Sequence, residues 1–466
     1  MALPVLLLAA PLRASDFPEN VIPHTLGVNL KNHSCSPAHV EAVKGSGATF
    51  IRRGFYWGSI EKEKGVYTFD EYDKLLDEAD KQGLRVLGVL FGNNKVREDD
   101  GRGGVQTEEG RKGFAAFGAA LAGHFKGRGI LWEVWNEPNT KTFWRNDVKA
   151  GNNPEFAAEY TALVKETVAA MRAADPGVFV MAGSVSCLWE PSFNWTKSCF
   201  EQGILKSGIK AWSIHPYGFR MPEDHLGGYA KVRELLAEAG EPGFPLINSE
   251  RGFAITKAKE GWSGGPLEQA QAHQAWHLAR QMLLDRLAGI RLTIWYEWEM
   301  KPGDKEDFGL VSGGDKRPGW RALRTLADEL SGFKFKQRLE TGAPLDYLLL
   351  FQNAEGRRKL AAWTCPPPKS TPEQFTPHEI ELSAEGETEI NARGLYGEAS
   401  KLPAPGGKLK LNLTGSPVYL DVTRRGPQRT QTRGSALNRK CIPACNWSLF
   451  GFLVLGRLEF NRPACC

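Results

Sequence analysis

No stretch of the 466 residues is both apolar and long enough to span a bilayer. The nearest approach is Met1 to Pro11, a short apolar run with no Lys or Arg before it, and residues 1–19 read as an export leader. Cys and His at zinc-binding spacing are missing too. Cys441-x3-Cys445 has no partner pair nearby, so neither a metal nor a cofactor is expected. No Gly-x-Gly-x-x-Gly follows the first strand, which counts against an open dinucleotide-binding sheet. An excess of charge is missing from the body of the chain. The formal net charge is +5, but the segment from Arg424 onward carries +7 by itself, leaving −2 for the rest. That body offers no surface for nucleic acid. Of the eight Cys, Cys187 and Cys199 are near enough in sequence to pair across one loop, which would fit export.

What the chain does have is tryptophan, fourteen in all, much of it near the ends of apolar segments. One stretch organises the rest. Ile130, Trp132 and Val134 alternate with Leu131, Glu133 and Trp135, the pattern of a short buried strand, which breaks off at Asn136-Glu137-Pro138-Asn139. Glu137 therefore stands at the rim of a rigid element, with an amide beside it and apolar rings before it. Apolar surroundings raise a carboxyl pKa, which suits an acid/base catalyst. Taken alone, Glu137 reads equally well as a solvated turn residue.

In chain order, strands at 26–30, 49–52 and 84–91 alternate with helices at 40–44, 69–81 and 110–124. The strand of Glu137 follows, then a helix over 154–174 and a strand over 178–183. A longer loop holds Cys187, Trp189, Trp195 and Cys199. Strands at 211–215, 245–249 and 290–295 alternate with helices at 230–239, 267–288 and 320–330. Eight strands with intervening helices make an α/β chain of the (β/α)8 TIM barrel type over residues 20–333. Beyond Phe333 the period changes. Short strands at 347–351, 359–363, 378–382 and 417–422, parted by Gly and Pro turns, read as an antiparallel β-sandwich over 334–423. The basic tail, 424–466, fits neither unit.

A second carboxylate ends the seventh strand, in Leu246-Ile247-Asn248-Ser249-Glu250. Trp135-Asn136-Glu137-Pro138 together with Ser249-Glu250 resembles the signature of the clan-A retaining glycoside hydrolases. The layout of Ile214-His215-Pro216-Tyr217-Gly218, Trp295-Tyr296-Glu297-Trp298 and Phe308-Gly309-Leu310, with a terminal β-module, is similar to family 39 and its relatives. The resemblance implies a carbohydrate substrate of β-linked type, with Glu137 as acid/base and Glu250 as nucleophile. It also implies that Arg52 keeps Glu250 ionised, that Asn136 binds the sugar hydroxyl beside the reacting carbon, and that Tyr217, after His215, touches the nucleophile. Trp295 or Trp298 would floor the cleavage subsite. Gly92-Asn93-Asn94 stand where some families have a His, which argues against a standard family-5 cellulase. Singly, each residue has a bland counterpart: Arg52 an ordinary ion pair (with Arg53 as rival), His215 a core histidine, Tyr217 and Trp295 packing. An endo-acting β-glucanase or exopolysaccharide hydrolase of the same clan, and a glycan-binding barrel without chemistry, remain as other readings. A metal-dependent hydrolase would need several His or Asp at strand ends, and only His215 is so placed.

Overall fold

The computed structural model describes residues 17–422 apart from 32–34, 99–102, 145–153, 219–220, 256–265, 369, 371–373 and 385. Residues 1–16 of the leader and the basic tail lie outside the described residues, as do the four tail cysteines; Phe17, at the leader's end, stacks on Phe179 at 5.3 Å. Eight parallel strands close a barrel: β1 (Leu26–Asn29), β2 (Phe50–Tyr56), β3 (Arg85–Phe91), β4 (Leu131–Val134), β5 (Phe179–Ser186), β6 (Trp212–His215), β7 (Leu246–Arg251) and β8 (Thr293–Trp295). β8 pairs back onto β1 through Leu26–Thr293 and Val28–Trp295, which completes the ring. The helices that follow the eight strands are α1 (Pro37–Gly45), α2 (Asp70–Lys81), α3 (Glu108–His124), α4 (Pro154–Ala174), α5 (Glu190–Glu201), α6 (Leu226–Glu238), α7 (Leu267–Leu287) and α8 (Pro318–Glu329), with one further helical turn at Trp57–Ile60. The eightfold strand–helix reading therefore holds.

Period-2 alternation sorts the strand residues into two apolar sets. Phe50, Leu87, Leu131, Phe179, Ala211, Ile247 and Ile294 fill the barrel interior. Their neighbours Ile51, Val86, Trp132, Val180, Trp212, Leu246 and Trp295 face outward into the layer under the helices. Two residues further along four of the strands the interior turns polar, with Arg52 above Phe50, Glu133 above Leu131, Ser213 above Ala211 and Ser249 above Ile247, all buried, while Val89 and Met181 extend the apolar set on β3 and β5. The apolar plug sits low and the polar set sits at the C-terminal mouth.

One segment read as a loop is a helix. α5 buries Ser192, Trp195, Thr196, Cys199 and Phe200, a spacing of three and four, with Pro191 in its first turn. The aromatic-rich sequence masked that period. The helix also undoes the expected Cys187–Cys199 pair: both are buried and they form no disulfide with each other. Cys187 ends the β5 region, whereas Cys199 is more than two helical turns into α5, with its sulfur toward the Ala157 carbonyl.

Among the described residues the second unit has eight strands: β9 (Lys334–Arg338), β10 (Asp346–Gln352), β11 (Arg358–Thr364), β12 (His378–Ser383), β13 (Glu389–Arg393), β14 (Ala399–Pro403), β15 (Lys408–Leu413) and β16 (Val418–Val422). The order β9-β10-β11-β16-β13-β14 makes one sheet and β12-β15 the other. Leu348, Leu350, Leu360, Leu382, Leu409, Leu411 and Leu420 fill the space between them. Four of these strands escape the sequence reading because they are short and alternate with charge, as in Lys408-Leu-Lys-Leu-Asn-Leu413.

Candidate active site

Glu137 reaches the mouth on a bent connection. Trp135 (φ 71°) and Glu137 (φ 47°) both adopt left-handed backbone, which costs side-chain-bearing residues of order 1–3 kcal/mol each. The surroundings hold the bend. The Trp135 N–H donates to the Leu90 carbonyl at 2.9 Å, and its indole Nε1 donates to the Phe143 carbonyl at 2.9 Å. Ser184 Oγ accepts from the Glu137 N–H at 3.1 Å and donates to the Trp135 carbonyl at 3.2 Å. Ser184 can do both because β5 bulges between Ala182 and Val185.

The Glu137 carboxyl is buried, and this pushes its pKa up to about 7. Ser186 and the Arg52 charge oppose the rise, and Glu133 adds to it. Its Oε1 lies 3.0 Å from His215 Nδ1, and His215 Nε2 lies 3.0 Å from Ser249 Oγ. Burial lowers His215 to about 4, the Glu250 charge opposing and Arg52 assisting. The imidazole is therefore neutral near pH 7, and it orients Glu137 without adding charge.

Glu250 sits in the opposite kind of environment. Arg52 Nη1 donates to its Oε2 at 2.7 Å and the Tyr217 hydroxyl donates to its Oε1 at 3.1 Å. Arg52 is the hub of the mouth. Its Nε and Nη2 donate to Glu133 Oε2 at 3.1 and 2.9 Å, Nη1 also reaches Asn29 Oδ1 at 3.3 Å, and Nη2 reaches Asn136 Oδ1 at 2.8 Å. With its oxygen held by Arg52, Asn136 presents its amide N–H groups elsewhere. Burial opposes ionisation of Glu133, yet Arg52 and His215 hold its pKa below the ordinary range. Two carboxylates thus share one guanidinium, and a third, Glu137, is left to hold its proton. Arg53, the rival to Arg52, leaves the site: its Nη2 pairs with Glu71 at 3.2 Å, on the outer side of β2.

An oxygen of Glu137, an oxygen of Glu250 and a ring nitrogen of His215 all lie within 4.8 Å of one another. Among the described residues this is the one group of such side chains near enough to hold a metal ion. A cation there would face the guanidinium that already neutralises Glu250.

The structure brings Arg52, Asn136, Glu137, His215, Tyr217 and Glu250 together, and it parts them from two tryptophans. Trp295 and Trp298 are each 1 % exposed and belong to the layer beneath the helices, so neither floors an open subsite. For Trp295 the reason is parity: Ile294 points into the barrel, so its neighbour points out. Tyr296 comes next and remains half-buried, with its N–H on the Arg251 carbonyl at 2.9 Å, one residue past Glu250. Sequence reasoning also missed Glu133, Asn29 and the serines at 184, 186 and 249. For Glu133 a signal existed, a charged residue at an inward position of a buried strand. At the end of β3, Asn94 turns away to bind the Glu61 carbonyl at 2.8 Å.

Comparison with solved structures shows the same architecture. A family 39 glycoside hydrolase from the gut symbiont Bacteroides cellulosilyticus WH2 superposes with a TM-score of 0.70 at 21% identity, over 86% of this chain and 81% of that one. A family 39 β-xylosidase from Caulobacter crescentus gives 0.61 at 16% identity, over 88% and 97%. A glucosidase from Croceicoccus marinus gives 0.61 at 12%, over 88% and 98%. At these identities the likeness concerns the fold. Among curated proteins, chloroplastic β-amylase 1 of Arabidopsis thaliana is 34% identical over 67 residues, 14% of this chain; the chain spans about an eighth of that protein's length. Residues 18–299 match the family described as Cellulase (glycosyl hydrolase family 5), and the missing His after β3 does not take the chain outside it. With the match covering more than half its length, the chain belongs to that glycosyl hydrolase family, on a barrel shared with family 39 enzymes.

Proposed function

We propose that the protein hydrolyses β-linked glycosides of plant or microbial oligo- or polysaccharides, of the β-xylosidase/β-glycosidase type, with retention of configuration. The carrying observation is the separation of the two carboxylates. One oxygen of Glu137 and one of Glu250 lie within 4.8 Å, an approach that goes with the carboxyl separation of roughly 5–5.5 Å of double displacement rather than the about 6.5–9.5 Å that leaves room for the water of inversion. Glu250, paired with Arg52 and oriented by Tyr217, attacks the anomeric carbon. Glu137, protonated near neutral pH because it is buried, gives its proton to the departing oxygen. A glycosyl ester on Glu250 results. Water then enters, Glu137 takes its proton, and the ester is cleaved. Loss of the Glu250 charge on esterification lowers the Glu137 pKa, which suits the change from acid to base. Asn136, fixed by Arg52, donates to the hydroxyl next to the reacting carbon.

A 2-fluoro glycoside with a good leaving group tests the assignment. Mass spectrometry of the digested protein should find the sugar on Glu250; labelling elsewhere would contradict it. Export belongs to the same proposal and rests on the apolar run before Pro11. Among the described residues no helix is long and apolar enough to cross a membrane. Mature protein that still carries residues 1–19 would contradict export.

A further inference from the structure

Beside the carboxylate pair, the mouth carries a second charged group that the hydrolytic steps do not use. Lys31 lies just past the end of β1, and β1 pairs with β8. Its Nζ is 2.8 Å from Glu297 Oε2 and 2.7 Å from Asp304 Oδ2. The ammonium also sits 5.1 Å from the centre of the Tyr296 ring. The group is layered. The Glu297 side chain is 1 % exposed and forms the floor; Lys31, at 26 %, and Asp304, at 35 %, face outward. Tyr296 is tied to the neighbour of Glu250 through its N–H bond to the Arg251 carbonyl. Tyr296 and Glu297 follow β8, which pairs with β7 in the register Trp295–Arg251, so the group stands at the same end of the barrel as Glu250.

We propose that Lys31, Tyr296 and Asp304 form the wall that recognises ring hydroxyls of the sugar held over Glu250, and that this wall selects an uncharged ring over a uronic acid. The inference rests on the reading of Glu137 and Glu250 given above. A carboxylate accepts from a sugar O–H while an ammonium donates to the next oxygen, so an ion pair at the surface of a cleft suits two adjacent hydroxyls. The same geometry disfavours a sugar carboxylate. It would meet Asp304, Glu297 and Glu250, and the Lys31 ammonium is already shared between two of them. Desolvation adds to the penalty, because a misplaced charge in a partly buried site loses more than it regains.

The test compares the full chain with its Asp304→Asn and Tyr296→Phe variants, on aryl β-xyloside, β-glucoside, β-glucuronide and a series of monodeoxy glycosides. Asp304 is over a third exposed, so its substitution leaves the fold intact. In the parent protein, removal of one particular hydroxyl should lower kcat/KM by about 10–100-fold, the worth of a hydrogen bond to a charged group. In Asp304→Asn that penalty should shrink to about threefold or less, because the partner is gone. The glucuronide should be at least about tenfold poorer than the glucoside. Deoxy penalties unchanged in both variants overturn the wall, and a glucuronide as good as the glucoside overturns its selectivity. If no glycoside is turned over, calorimetric binding of the same sugars replaces the rate. A deoxy penalty in affinity that disappears in Asp304→Asn then keeps the wall while sinking the hydrolytic reading. Absence of binding sinks both.

Discussion

The barrel mouth and the core of the β-sandwich are both well buried, and they are built from opposite materials. At the mouth, Arg52, Glu133, Glu137 and His215 are packed into a space where side chains of similar volume would be more stable as hydrocarbon. Between the sandwich sheets lie Leu, Ala and Ile. The mouth also carries the left-handed residues at 135, 137, 184 and 187. Its polar groups are arranged for pKa separation, and the sandwich core for packing. The two units meet through ion pairs and a buried hydrogen bond: Lys359 of β11 and Arg393 of β13 both pair with Glu329 of α8, at 2.5 and 3.1 Å. Glu223, on the connection that follows His215 and Tyr217, accepts from Arg280 Nε of α7 at 2.7 Å and from Trp363 Nε1 of β11 at 2.8 Å. The sandwich thereby braces the segment that carries Tyr217.

The sharpest way to break the contrast is to remove the acid. Glu137→Gln keeps the shape of the mouth and should lower turnover about 10²–10⁴-fold on glycosides with poor leaving groups, and less on activated aryl glycosides, which need little protonation. Equal loss on both kinds, without rescue by azide, contradicts the acid/base role. The next effect is on stability. Arg280→Met leaves Glu223 buried without its cation and should cost about 3–5 kcal/mol in urea unfolding. A loss under about 1 kcal/mol would show that the brace is unimportant. The smallest effect is a gain. In the unfolded chain the Glu137 carboxyl ionises near 4.5, and in the folded protein at about 7. Between those values the folded state keeps a proton that the unfolded state has lost. Its stability therefore falls as pH rises through that window, and the full cost is present above about pH 7. Glu137→Gln removes this cost. It should be more stable than the parent at pH 8 by of order 1–3 kcal/mol, with the difference vanishing near pH 4. A variant that is no more stable at pH 8 would falsify the buried-acid account.

The two units also differ in how far they can be read from sequence. The barrel is legible because its strands are continuous apolar runs ending in Asn, Glu, His or Pro. Glu137 and Glu250 stand out as charges placed where such runs stop. Arg52 stands out for the same reason, and its separation from Arg53 follows only from strand parity. Glu133 is legible only once the barrel is assumed: in a one-dimensional pattern it reads as the polar half of an alternation, and only its inward position on a buried strand marks it. The serines that hold Glu137 are hidden, because the β5 bulge that aims Ser184 leaves no mark in the residues themselves. Tryptophan misleads. Its ring suits a sugar platform, and Trp295 and Trp298 are nevertheless packing, while Tyr296 between them faces the site. In the sandwich, β13, β14 and β15 are too short and too charged to be seen without their partners.

One measurement bears most directly on the central claim, that Glu137 and Glu250 act in turn on one face of the sugar each. Proton NMR of the first sugar released from an aryl β-glycoside, recorded before mutarotation, reports the configuration at the anomeric carbon. Two successive displacements at this carboxylate spacing predict the β-anomer. A first-formed α-anomer would mean that water attacks directly, and would contradict the account.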